Sequence, residues 1–244
     1  LRLAAVSVPA VGSAIGMTRL AARLAALCVA VWATPGGAET LTQPPPLAPD
    51  VAALPRLTGD SAVAARINAS LHDLDQTQHY AITCEDENPD GAYRSVQVLS
   101  DGPAFLSLLV ITGGACPGAA HPWGQADTVN FDLSTGRQTD LMPFLPTAWT
   151  DPGPPEAKIF DLYLDNLDAA TLEDGCLDDL ISAAEGDRLW YLLAIDTGLQ
   201  RLMILPDGLA HVASGCEQPA WIPVDLLRAS GFAPRLVGAA LGRP

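Results

Sequence analysis

Apolar and polar positions repeat with two different periods along this chain, and the changes of period mark its elements. Ala64, Ile67, Leu71 and Leu74 recur at helical spacing, which predicts an amphipathic helix capped by Asp60 and running to about Leu74. From Tyr93 to Leu99 the period is two. Val96 and Val98 fall on one side, Ser95 and Gln97 on the other, and Leu99 ends the run. Phe105 to Ile111 is almost continuously apolar, the pattern of a central strand. Thr128 to Leu133 alternates again, with Phe131 and Leu133 facing one way and Asn130 and Asp132 the other.

Turn chemistry separates these runs. Tyr80 to Cys84 is a short strand candidate, followed by a polar turn to Gly91. Asp101-Gly-Pro103 turns the chain, and Ser134-Thr-Gly136 makes a hairpin in which Gly136 supplies a positive φ. Gln138 to Leu141 returns. Pro143 to Pro155 carries five prolines in thirteen residues and reads as a loop. Glu156 to Leu167 predicts a helix, with Ile159, Leu162, Tyr163 and Asn166 on one face, and Leu177 to Ala184 a shorter one. Leu189 to Ile195 and Leu199 to Leu205 are apolar strands joined at Thr197-Gly198. Pro206-Asp-Gly208 turns into a strand from Leu209 to Ala213. Trp221-Ile-Pro-Val224 leads into a short helix from Asp225 to Ala229. The expected class is α+β: a hairpin-rich, mostly antiparallel sheet with a few helices packed on it and two disulfides.

The first part of the chain follows another logic. Met17 to Arg23 is basic, Leu24 to Trp32 is apolar, and Gly36-Gly-Ala38 is small, the order of a secretory leader. The apolar run is shorter than the roughly 20 residues a membrane-spanning helix needs. The expected plan is a misassigned upstream start over residues 1–16, a signal peptide over 17–38, a proline-rich extended tether over 39–57, and one α+β domain over 58–244. Periplasmic or secreted localisation follows, with no membrane span in the mature chain.

Thirteen Lys and Arg face 28 Asp and Glu, for a net charge of −15. Losing Arg2, Arg19 and Arg23 with the leader takes it to −18. That balance excludes nucleic acid, whose phosphates demand cations. It suits solubility first, and encounter with a basic partner second. Four cysteines survive the leader: Cys84, Cys116, Cys176 and Cys216. After an export signal, an even count reads as disulfides, and four cysteines allow three pairings. Closing the smaller loops pairs Cys84 with Cys116 and Cys176 with Cys216. Zinc is the weaker alternative, because no Cys-x-x-Cys spacing occurs.

Candidate chemistry is sparse. The loop Cys116-Pro-Gly-Ala-Ala-His-Pro-Trp123 holds the most pointed set, and His121 and Trp123 are candidate ligand contacts, with Asn130 and Asp132 on the strand that follows. A histidine there serves equally to tie backbone in a proline-stiffened loop. No serine lies in a nucleophile elbow. His72, His79, His121 and His211 share no zincin spacing, and no calcium loop is present, so no metal and no cofactor is implied. Trp123, Trp149, Trp190 and Trp221 are candidates for stacking on sugars; Trp149, in the proline loop, is the expected exposed one, and Trp190, in an apolar strand, is expected in the core.

Cys116-Pro-Gly-Ala-Ala-His-Pro122, Asn130-Phe-Asp-Leu-Ser-Thr-Gly136 and Leu141-Met-Pro-Phe-Leu145 together resemble a bacterial extracytoplasmic domain family. That domain is shared by the C-terminal part of the lysozyme-sensing anti-sigma-V factor and the accessory domain of a secreted peptidoglycan deacetylase. Leu205-Pro-Asp-Gly-Leu209, Trp221-Ile-Pro-Val-Asp-Leu226 and Arg66-Ile-Asn68 extend the likeness over about residues 58 to 230. The loop here is one residue longer, with Pro117 and Ala119 where glycines are usual. The resemblance implies a non-catalytic recognition or accessory module at the cell envelope. Its expected partners are a peptidoglycan-type glycan or a basic wall-directed protein such as lysozyme. The alternative is a cell-wall hydrolase or deacetylase-like enzyme using His121 and nearby acids.

Overall fold

The strand with the most continuous apolar run lies between two covered faces. The computed structural model of the chain describes residues 40–81, 90–115, 122–149, 155–168, 170 and 172–244. Three strands form one antiparallel sheet: β3 (Asp90–Asp101), β4 (Phe105–Ala115) and β5 (Trp123–Asp132). A short strand, β6 (Arg137–Gln138), adds to the far side of β5. Leu106, Leu108 and Val110 of β4 face the long helix α1 (Ala62–Ala81), packing with Ala64, Ile67 and Leu71 and with Val129 and Phe131 of β5. Leu109, on the opposite face, meets a second sheet. That sheet holds β7 (Trp190–Asp196), β8 (Arg201–Asp207) and β9 (Ala220–Pro223) in antiparallel order.

Alternation along the second sheet divides its apolar residues between two partners. Leu192, Ala194, Met203, Leu205 and Trp221 pack on Leu99, Leu109 and Ala126 of the first sheet. Leu193, Ile195, Leu202, Ile204 and Ile222 turn the other way, into the largest cluster. Four helices contribute to that cluster: α2 (Pro155–Asn166), α3 (Cys176–Glu185), α4 (Val224–Ala229) and α5 (Pro234–Ala240). The architecture is α+β in four layers: α1, sheet, sheet, helices. Predicted core positions Ile159, Leu162 and Tyr163 are buried.

Several expectations are corrected. The helix is capped by Ser61, not Asp60: Ser61 Oγ accepts the Ala64 N–H at 2.9 Å. It runs on through Tyr80 and Ala81, so the start of the expected Tyr80–Cys84 strand is helical, and the rest of that strand lies outside the described residues. In β3 the register slips between Val98 and Ser100, which leaves Leu99 as an extra residue. The bulge sends Leu99 into the inter-sheet core and leaves Val98 exposed, so Val96 and Val98 do not share a buried face. Leu209 to Ala213 is no strand; a 3-10 turn occupies His211–Cys216. The terminal helix α5 carries no strong periodic signal and is absent from the sequence expectations.

The largest correction concerns residues 39–57. Prolines there suggested an extended tether, but β1 (Leu41–Thr42) pairs with β2 (Arg56–Leu57), and Val51, Ala53, Leu54 and Leu57 are buried. The segment covers the open edge of β3. Arg94 N–H donates to Asp50 O at 2.9 Å, and Ala52 N–H donates to Arg94 O at 3.0 Å. A buried ionic knot fixes it. Asp75 of α1 accepts from the Leu54 N–H at 3.0 Å, from Arg56 at 2.6 Å, and from Arg94, which is 2% exposed. Arg94 Nε also donates to Ala52 O at 2.6 Å. Proline removes a donor without preventing burial, and side chains of other elements supply the missing partners.

Of the expected disulfides, Cys176–Cys216 is present, closing a sequence separation of 40 and pinning α3 to the turn before β9. Cys84 and Cys116 lie outside the described residues, as do the expected upstream start (1–16) and signal peptide (17–38). Among the described residues, no helix is long and apolar enough to cross a membrane.

Candidate functional site

A strand edge without a partner must be satisfied or used, and two such edges meet here. On its outer side β5 pairs with β6 only at Phe131 and Asp132. β7 is the first strand of its sheet. Where the two edges touch, sheet-one side chains satisfy β7. Asn130 Nδ2 donates to Leu193 O at 2.8 Å, the Ile195 N–H donates to Ser107 Oγ at 3.3 Å, and Ser107 Oγ donates to Asn130 Oδ1 at 2.7 Å. All of this is buried. Asn130, a predicted ligand contact, therefore has its amide committed to joining the two sheets.

Asp132 is similarly engaged. It accepts from the Ser134 N–H at 2.8 Å and from Arg235 of α5 at 2.7 Å. The Arg235 guanidinium holds its carboxyl well below the usual carboxylate range. Trp123 opens β5 and lines a shallow hollow with Tyr93, whose ring lies across Gly113. A Cβ on Gly113 would come within 2.6 Å of that ring, so the glycine is needed for the close approach. His121 lies outside the described residues. The structure thus separates Trp123, Asn130 and Asp132 into three surroundings.

Beside the junction, the crevice between β5 and β7 opens into two hollows that adjoin at Leu192. The first, of about 350 Å³, has an apolar floor of Leu109, Ala126, Met203 and Leu205, with Asp207 and Glu217 on its rim. Glu217 Oε1 accepts the Leu209 N–H at 2.8 Å, yet its carboxyl is pushed up, chiefly by burial and further by Asp207. Asp127, half-buried on β5, is pushed up by burial and then by Asp207. Asp207 thus adds negative charge near two carboxyls, Glu217 and Asp127, that burial already makes costly to ionise, and a cation brought to the rim would stabilise the ionised form of Glu217. The second hollow, of about 610 Å³, is lined by Thr128, Asn130, Gln138, Asp140 and Trp190.

Sequence reasoning passed over Asp127, Asp207 and Glu217. Trp190, expected in the core, is 55% exposed, whereas Trp149, expected outside, packs edge-on against Phe232 at 5.3 Å. An apolar strand run hides which face is covered at its end. The signal that was available is the Pro206-Asp-Gly208 turn, which carries Asp207 and sets the seat of Trp190. Among the described residues, no three His, Cys, Asp or Glu side chains converge on a metal position.

No family model matches the chain, and no curated protein matches it. Among solved structures, it is similar to one described as the crystal structure of a DUF3298 family protein from Pseudomonas aeruginosa PAO1. The identity is 12%, the match covers 81% of this chain and 93% of that one, and the TM-score is 0.42.

Proposed function

We propose that the chain is a non-catalytic recognition module working outside the cytoplasm at the cell envelope, and that its acid-rimmed inter-sheet cleft captures a basic wall-directed protein such as lysozyme. The observation that carries this reading is the cleft itself. Apolar walls fit the methylene stem of a lysine or arginine, and Asp207 and Glu217 stand where the charged head would arrive. A cationic head stabilises the Glu217 carboxylate, which burial has made costly to ionise. The net charge of −15 adds long-range attraction for a basic partner. A leader-like first segment and the Cys176–Cys216 bridge suit an oxidising compartment.

The test is binding of lysozyme to the immobilised domain. The wild type binds with an affinity that falls as salt rises, and an Asp207→Asn/Glu217→Gln variant binds at least tenfold more weakly with a flatter salt dependence. Equal binding by both proteins, or none by the wild type, refutes the reading.

A further inference from the structure

We infer that the second hollow is a saccharide subsite that takes an uncharged hexopyranose chain, with Trp190 as its stacking platform. A lone exposed apolar residue needs no explanation. Trp190 is different because its position is enforced. Gly208 has φ +114, and a Cβ there would lie 2.2 Å from Arg188 O and 2.9 Å from the six-membered ring of Trp190. The indole is therefore seated on a bare glycine and still leaves 55% of the residue open to solvent. Such a ring offers a rigid apolar surface with little rotamer entropy to lose, which suits the C–H face of a pyranose.

Hydroxyls of a sugar need alternating donors and acceptors around that platform. Gln138, exposed on β6, and Thr128 of β5 supply an amide and a hydroxyl that serve no other described element. Asp140 uses Oδ1 to accept the Met142 N–H at 2.9 Å and keeps Oδ2 for a ligand hydroxyl. Its charge, in a strongly acidic chain, disfavours uronates and sulfated sugars. A hollow of about 610 Å³ falls within the range of small-ligand sites, roughly 300–1,000 Å³. This site deepens the glycan half of the envelope expectation and does not depend on capture of a basic protein, since it shares only Leu192 with the acidic cleft.

The experiment is calorimetric and NMR titration of the domain with N-acetylglucosamine oligomers of two to six units, with oligogalacturonate as the acidic arm and an extended hexapeptide as the strand-pairing arm. The expected result is binding of the neutral oligomers, with shifts at the Trp190 indole N–H and the Gln138 side-chain amide. Trp190→Ala should weaken it at least tenfold, and Gln138→Ala severalfold, at unchanged melting temperature. Trp190→Phe should recover part of the loss, separating platform from fold. Lysozyme capture by Trp190→Ala should stay at the wild-type level, so the two readings fail separately. Full binding by Trp190→Ala, tighter binding of the uronate, or shifts with the hexapeptide alone overturns the inference.

Discussion

Replacing Asp75 by asparagine should be among the most damaging single changes available to this protein outside its apolar core. Asp75 is 1% exposed and faces two guanidiniums, Arg94 with a fully buried side chain and Arg56 with one that is 21% exposed. Asparagine keeps an acceptor for the Leu54 N–H but removes the negative charge that the buried Arg94 guanidinium faces in Asp75. Breaking a buried pair in this way costs about 3–5 kcal/mol. For a chain of this size that lowers the melting temperature by roughly 6–20 °C. The paired change Asp75→Leu/Arg94→Met removes both charges. It should cost less than the two single changes combined, although it strands the Ala52 carbonyl and the Leu54 N–H at about 1–3 kcal/mol each. Thermal and urea melts of wild type, Asp75→Leu, Arg94→Met and the paired variant give the cycle. Limited proteolysis should find Arg56 newly cleavable in Asp75→Asn. A melting point within 2 °C of wild type, or strictly additive singles, refutes the claim that this knot fastens residues 40–57 to the domain.

Other perturbations probe the rest of the account. Removing Cys176–Cys216 as a double serine variant closes no loop in the unfolded chain, and with a separation of 40 the chain-entropy model puts the loss at about 4 kcal/mol in a denaturant melt. Asn130→Ala leaves the Leu193 carbonyl buried and unpaired, so it should cost about 1–3 kcal/mol in the same assay. Asp127 has a folded pKa raised above its unfolded value, so its ionisation opposes folding as pH rises through and above the ordinary carboxylate range. Asp127→Asn should therefore raise the melting temperature at pH 7, and the gain should vanish at pH 3. Asp132 has the opposite sign: its folded pKa is lowered, so its contribution is present above the unfolded value and is lost as pH falls below it.

What the sequence made legible follows from how many neighbours decide each pattern. β4 and α1 were readable because Leu106, Leu108 and Val110 meet Ala64, Ile67 and Leu71 directly, and each periodicity reports one covered face. The docking of residues 40–57 is not legible because proline content reports hydrogen-bond loss locally, whereas Asp75 and Arg94, distant in sequence, supply the partners. Asn130 drew attention as a polar residue in an apolar strand. That signal was sound, but its cause is the open edge of β7, which no local pattern reveals. The acidic cleft is not legible in the sequence because Asp207 and Glu217 meet only across a turn, and the apolar floor beneath them is assembled from both sheets. Trp190 reads as core in an apolar run, and its exposure is set by Gly208 across the hairpin.

Recognition without turnover is the central claim, and one incubation tests it most directly. Purified oxidised domain is mixed with intact peptidoglycan and lysozyme in separate vessels, and the soluble products are weighed by mass spectrometry while lysozyme retention is measured. The account predicts stoichiometric retention of lysozyme and an unaltered muropeptide profile. New muropeptides or released acetate, with lysozyme left unbound, would contradict it.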